Sequence, residues 1–171
     1  MLKIKAHIGR ARAFRRDDSG AAAIEFALIA PVLFFALLSL FEIGVLGIMT
    51  SGLDNAVIEA SRKIRTGRSD AATSAATMEQ QICAQMGILN SCGERLVTSV
   101  QRFGNFVGAS TQATSQPDNQ FDKGGASDII LVKANYKWPL MSPFVTRGFG
   151  RTAPLEVTIT SRLAFKNEPF E

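Results

Sequence analysis

The stretch SGAAAIEF, residues 19–26, leads directly into an apolar run that extends to Thr50. Glu25 lies within this stretch, five residues after Gly20. An unpaired charge inside a bilayer costs several kcal/mol unless a partner covers it, and charged residues in spans usually have a function. The position of Glu25 therefore requires an explanation beyond ordinary span composition.

The apolar run is long enough to cross a membrane. From Phe26 to Leu53 its only charged residue is Glu42, and about 20 residues suffice to cross the hydrocarbon core. In a cleaved secretory signal the small residues follow the apolar region, whereas here they precede it. The sequence therefore predicts a membrane helix without ordinary signal-peptidase cleavage.

The basic residues are concentrated before this helix. Residues 1–20 contain six Lys or Arg against two Asp, a net charge of +4 that equals the charge of the whole chain. Positive flanks stay in the cytoplasm, so the sequence predicts a cytoplasmic leader over residues 1–20. The remainder is neutral, which argues against nucleic acid as a partner.

Beyond Thr50 the helical pattern continues without a break. Apolar residues recur at helical spacing, and Gly67 is placed to end the helix near Thr66. One helix would then form both membrane span and stalk, residues 21–67, with the stripe Leu53, Val57, Ala60 and Ile64.

Residues 68–171 are expected to form a small α+β head on the far side of the membrane from the leader. A helix is predicted from Ser69 or Asp70 to Leu89, with Asp70 as its N-cap. Gly108–Gly125 is polar and predicts an exposed loop. Alternating apolar residues predict a short antiparallel sheet with strands Arg95–Phe106, Asp128–Trp138 and Pro154–Lys166.

The two cysteines, Cys83 and Cys92, both follow the span. If the leader is cytoplasmic, they lie in an oxidising compartment where disulfides persist. Their spacing matches neither a zinc site nor a C-x-x-C redox pair. We therefore predict a disulfide that links the helix to the following strand.

The head lacks the residue patterns of known catalytic and metal sites. The sole histidine is His7 in the leader, and no G-x-S-x-G or phosphate-binding glycine loop occurs. We expect no catalytic residues, cofactor or metal, and a non-enzymatic protein. An aromatic group near the second strand is interpreted as core: Tyr136, Trp138, Pro139 and Phe144.

The order of basic leader, glycine, small residues, Glu-Phe and apolar helix resembles the processing site of type IV prepilins and pseudopilins. The resemblance implies that a membrane peptidase cuts between Gly20 and Ala21. Glu25, followed by Phe26, would then be the fifth residue and set the register of packed helices. The new α-amino group of Ala21 would be a suitable cationic partner for this carboxylate.

Four segments narrow the resemblance to the TadE-like family: Glu25–Leu33, Ala60–Gly67, Gln81–Cys83 with Cys92, and Arg162–Phe170. This implies a single-pass minor pilin or pseudopilin of the tight-adherence (Flp) pilus in the bacterial inner membrane. Implied partners are prepilin peptidase, other pilins and assembly platform proteins. The alternative is an uncleaved, signal-anchored periplasmic protein that binds components of the cell envelope.

Overall fold

The computed structural model of the chain describes residues 20–86, 92–112, 117–141, 151–153 and 155–169, so the predicted leader up to Ser19 lies outside it. The order of its helices and strands confirms the predicted α+β class, in which a long N-terminal helix is followed by a small head. The elements are α1 (Ala21–Arg65), α2 (Ala75–Met86), α3 (Cys92–Arg95), β1 (Leu96–Phe103), α4 (Phe106–Gln112), β2 (Ile129–Pro139), β3 (Arg151–Ala153) and β4 (Glu156–Lys166).

Helix α1 is one continuous helix of 45 residues. It ends at the predicted glycine, because Gly67 has a φ of 62°, a conformation that glycine adopts without a Cβ penalty. The Gly67 N–H donates to Ile64 O at 3.1 Å, and the Arg68 N–H donates to Lys63 O at 3.1 Å. This pair of hydrogen bonds is a Schellman motif, which satisfies carbonyls at the helix end.

Helix α2 begins later than predicted. Ser74 precedes its first turn and accepts the Thr77 N–H at 3.2 Å, while Thr77 Oγ1 accepts the Ser74 N–H at 2.9 Å. This reciprocal capping fixes the start at Ala75, so the predicted cap at Asp70 is wrong. The last predicted helical residues, 87–89, lie outside the described residues.

The head contains a four-stranded antiparallel sheet in the order β1-β2-β4-β3. Strands β1, β2 and β4 confirm the three predicted strands. Strand β3 was not predicted, because three residues are too few to display an alternating pattern. It pairs Arg151 with Val157 and Ala153 with Glu156, at one end of β4.

The predicted exposed loop Gly108–Gly125 is partly ordered against the sheet. Its start belongs to α4, where Ala109 is buried. Further on, the Val100 N–H of β1 donates to Gln120 O at 2.8 Å, and the Asp122 N–H returns a bond to Val100 O at 2.8 Å. This segment therefore covers the outer edge of β1.

The described residues divide into two compact units, one that ends at Leu40 and one that begins at Phe41. Within the second unit, residues of α1 share one apolar core with α2 and the sheet. The C-terminal part of α1 is thus a core element of the head. The predicted stripe is confirmed, as Leu53, Val57, Ala60 and Ile64 are each at most 2% exposed.

The residues after β4 are fixed to the head by hydrogen bonds. The Asn167 side-chain amide donates to Lys123 O at 3.0 Å and to Gly125 O at 2.9 Å. The Glu168 N–H donates to Arg65 O, the last residue of α1, at 2.9 Å. The tail is therefore ordered against the head at Asn167 and Glu168.

Candidate functional site on the N-terminal helix

The predicted processing site lies where α1 begins. Gly20 directly precedes the helix and Ala21 is its first residue, and both are exposed. A Cβ added at Gly20 would meet no other atom within 4 Å. The bond between these two residues is therefore uncovered among the described residues, and its cleavage stays a prediction.

Glu25 and Phe26 lie on the first turns of α1, and both are exposed, Phe26 to 66%. Among the residues that the structure describes, the Glu25 side chain has no hydrogen bond or ion pair. Large apolar side chains surround this carboxylate, including Leu28, which is 72% exposed, and Ile29, which is 64% exposed. A charge in such a setting requires a partner or water.

The N-terminal part of α1 exposes apolar side chains on all sides. A helix that is apolar around its whole circumference belongs in a lipid or protein environment. α1 is the one described helix long and apolar enough to cross a membrane, which suggests a membrane anchor. The exposed set is Ile24, Phe26, Leu28, Ile29, Val32, Leu33, Phe34, Phe35, Leu37, Leu38, Leu40 and Phe41.

From Glu42 onward one face of α1 is buried by the head. Leu46 is 6% exposed and Met49 is 5% exposed, while Ile48 on another face remains 68% exposed. The sequence gives no sign of this change, because the apolar composition continues to Leu53. The predicted span therefore contains two segments with different surroundings.

Glu42 lies at the start of the buried face and is itself only 5% exposed. Its carboxylate oxygen Oε1 accepts the backbone N–H of Met141, which follows β2. A buried carboxylate needs such donors because desolvation disfavours the charged form. In the sequence, Glu42 stands out as a charge within an apolar run, but the sequence alone does not indicate that it bonds to the head.

The predicted disulfide is present between Cys83 of α2 and Cys92, the first residue of α3, with a Cα–Cα distance of 5.7 Å. Cys92 belongs to the short helix α3 and not, as predicted, to the following strand, because β1 begins four residues later at Leu96. This bond fixes the end of α2 to the start of the sheet.

Charged groups of the head lie mostly at its surface. Asp70 contacts Lys63 Nζ at 3.2 Å and Arg68 Nε at 2.8 Å. Hydrogen bonds from Lys63 and then Arg68 hold the pKa of Asp70 below its ordinary value. Asp70 therefore fastens the end of α1 to the following loop instead of capping α2.

Tyr136 is fully buried, which confirms its interpretation as core, and burial raises the pKa of its phenol. Trp138 is half-buried, and the interpretation is wrong for Pro139, which is exposed at the end of β2. The Tyr136 ring lies 6.3 Å from that of Trp138, measured between centroids. Phe144, from the same predicted group, lies outside the described residues. Among the described residues no group of three or more His, Cys, Asp or Glu could hold a metal ion.

No curated protein and no solved structure matches the chain. The family model described as TadE-like protein matches residues 20–62. These residues include Gly20, Ala21, Glu25, Phe26 and Glu42; the cysteines and the tail after Arg162 lie beyond them. The matched residues 20–62 cover nearly all of α1, and within them the chain is similar to TadE-like proteins, which confirms the resemblance drawn from its N-terminal motif.

Proposed function

We propose that this protein is a non-enzymatic minor pilin or pseudopilin of a tight-adherence (Flp, type IV-like) pilus assembly system. The family match supports a component associated with that pilus. The observation that carries the finer proposal is Glu25, an exposed carboxylate without a partner among the described residues, on a helix segment that is apolar on all sides.

The proposed mechanism is lateral packing of α1 against other pilin helices in the inner membrane. In a membrane, a carboxylate on an apolar helix gains most from a cation on a neighbouring helix. Cleavage before Ala21 would create such a cation, an α-amino group that is largely protonated near neutral pH. Each Glu25 would then pair with a neighbouring N-terminus and set the helix register.

The proposed orientation has the basic leader in the cytoplasm and the head in the periplasm. The charge of residues 1–20 supports it, since positive flanks are retained on the cytoplasmic side. The Cys83–Cys92 disulfide also supports it, because such bonds persist in oxidising compartments. The proposed partners are prepilin peptidase, other pilins and the assembly platform.

Processing can be tested by determining the N-terminus of the membrane-associated protein with and without the host prepilin peptidase. We expect it to start at Ala21 only when the peptidase is present. Gly20→Leu should block this step without disturbing the fold, because the position is open. An N-terminus at residue 1 in the presence of peptidase would instead support the uncleaved envelope protein.

The registry role can be tested with Glu25→Gln, which removes the charge and keeps the side-chain size. We expect fewer assembled pili by shearing and electron microscopy, at an unchanged cellular level of the subunit. Glu59→Gln is the matched control, because Glu59 is on the same helix and, among the described residues, forms an ion pair with Arg62 at 3.9 Å. Normal piliation by Glu25→Gln would refute the registry role.

A further inference from the structure

Along the outer edge of β4, the described residues leave one stretch without a neighbouring strand. Strand β2 pairs with the full length of β4 on the inner side, and β3 pairs with Glu156 and Val157 on the outer side. At the far end, the Glu168 N–H is bonded to Arg65 O at 2.9 Å. Between these ends, no described backbone group pairs with the outer edge from Thr160 to Lys166.

The direction of the backbone groups along this stretch follows from the next residues. The Asn167 N–H donates toward β2, to Asp128 O at 2.8 Å, and the Glu168 N–H donates to the opposite side. Successive residues of an antiparallel strand direct their backbone groups alternately to either side. Four residues direct their backbone N–H and C=O groups to the outer edge, as Glu168 does: Thr160, Arg162, Ala164 and Lys166.

Among the described residues, no backbone group pairs with the edge at these four positions. Unpaired strand edges are templates for the addition of another strand. The other long edge of the sheet differs, because the segment around Gln120 already covers β1. β4 thus offers a strand-length site in the same sheet where β1 offers none.

A groove of about 280 Å³ lies beside this edge, between α1 and β4. Ile58 on its wall is 51% exposed, and the Ser61 Oγ is buried without a hydrogen-bond partner. A strand added to β4 would direct every second side chain toward this groove. Apolar side chains of moderate size suit that position because they would cover Ile58.

The opposite face of the edge is basic. Arg162 and Lys166 are exposed and have no ion pair among the described residues, whereas Lys133, across from Arg162 on β2, is buried and contacts Asp118 at 3.9 Å. Opposite charges across a strand pair stabilise it, and like charges destabilise it. Two copies of β4 paired around Arg162 or Ala164 would place cations opposite each other, which disfavours self-association in those registers.

We propose that the edge of β4 from Thr160 to Lys166 binds an extended strand of another polypeptide in which acidic side chains alternate with apolar ones. The acidic side chains would lie opposite Arg162 and Lys166, and the apolar ones would enter the groove at Ile58. This site is on the head and goes beyond the helix packing proposed above. It does not depend on cleavage after Gly20.

The test uses the full chain in detergent micelles and a fluorescein-labelled seven-residue peptide of alternating Glu and Val. Ala164→Pro removes an N–H directed to the open edge, a position where proline is tolerated. We expect the affinity of this variant for the peptide, measured by fluorescence anisotropy, to fall about tenfold or more. The loss of the hydrogen bond at residue 164 should also weaken the neighbouring backbone bonds to the added strand. Ala164→Thr keeps the N–H and should bind like the unaltered chain.

Arg162→Glu provides a second variant that leaves the backbone intact. This variant should bind the Glu-Val peptide more weakly and a Lys-Val peptide more tightly than the unaltered chain does. In the unaltered chain, amide hydrogen exchange at residues 160–166 should slow when the Glu-Val peptide binds. Equal binding by Ala164→Pro and Ala164→Thr would overturn the proposal. So would the absence of binding by the unaltered chain, or a dimer in sedimentation analysis that Ala164→Pro dissociates.

Discussion

Glu25 and Glu42 lie on the same helix and interrupt the same apolar run, but their surroundings differ. Glu42 is buried and accepts a backbone N–H from its own chain. Glu25 is exposed and has no partner among the described residues. A charge in an apolar setting needs a polar partner; folding supplies one to Glu42, whereas the proposed partner of Glu25 is a group on another chain.

The same contrast extends to the two parts of α1. Residues 24–41 expose large apolar side chains on every side, whereas from Glu42 one face belongs to the core of the head. Head stability should therefore depend on the second part and be insensitive to the first.

The largest difference is expected for leucine truncation. Leu53→Ala should lower the free energy of unfolding of the head by about 2–5 kcal/mol, because it removes a fully buried side chain and leaves a cavity. Leu38→Ala is the matched control, since Leu38 is 57% exposed. Denaturation in micelles, followed by the fluorescence of the single Trp138, measures both; equal losses would contradict the division of α1.

Removal of the disulfide should also act on the head alone. Cys83→Ser with Cys92→Ser should cost about 2–4 kcal/mol, because the bond no longer restricts the unfolded chain. The measurement is the same Trp138 unfolding curve, with the helical circular dichroism of α1 in micelles as control. An unchanged curve would show that core packing alone holds α2 against the sheet.

Glu42→Ala should destabilise the head by about 1–3 kcal/mol, because it removes a buried carboxylate that accepts the backbone N–H of Met141. Glu25→Ala should leave head stability unchanged and instead reduce pilus assembly. The two variants therefore separate folding from assembly when unfolding and piliation are measured in parallel. A loss of head stability in Glu25→Ala would contradict the assignment of Glu25 to assembly alone.

The smallest effect is expected at the end of α1, where Asp70 contacts Lys63 and Arg68. Because these contacts lower the pKa of Asp70 in the folded state, their contribution is fully present above the unfolded value of 3.8 and is lost as pH falls through the folded value. Asp70→Asn should thus lower the melting temperature slightly at pH 7, and the difference should vanish in strong acid. A difference that persists there would exclude ionisation as its cause.

Much of the fold follows from periodicity. Leu53, Val57, Ala60 and Ile64 recur at helical spacing, and Gly67 permits the left-handed conformation that ends the helix, so local chemistry suffices to predict α1. Strands β2 and β4 are predictable because alternate residues face the core. The start of α2 was not predictable, since both Asp70 and Ser74 can cap a helix and each has a threonine three residues later. Only the structure shows that Ser74 and Thr77 exchange hydrogen bonds, whereas Asp70 contacts Lys63 and Arg68.

The elements that prediction missed depend on contacts between distant residues. Strand β3 is defined by its pairing with β4, and the segment around Gln120 is ordered by the edge of β1. Nothing in the sequence around Asn167 indicates that its side-chain amide donates to the backbone oxygens of Lys123 and Gly125. None of these contacts leaves a periodic signal in the sequence.

The candidate site divides in the same way. The sequence alone determined the Gly20–Glu25 spacing, the basic leader and the apolar helix, because these are properties of consecutive residues and of their transfer from water to lipid. The folded structure was needed to show where the head begins to cover α1, that Glu42 accepts the N–H of Met141, and that no described backbone group pairs with the outer edge of β4 from Thr160 to Lys166. Those features depend on which distant backbone groups meet in the folded chain, and local composition does not encode that pairing.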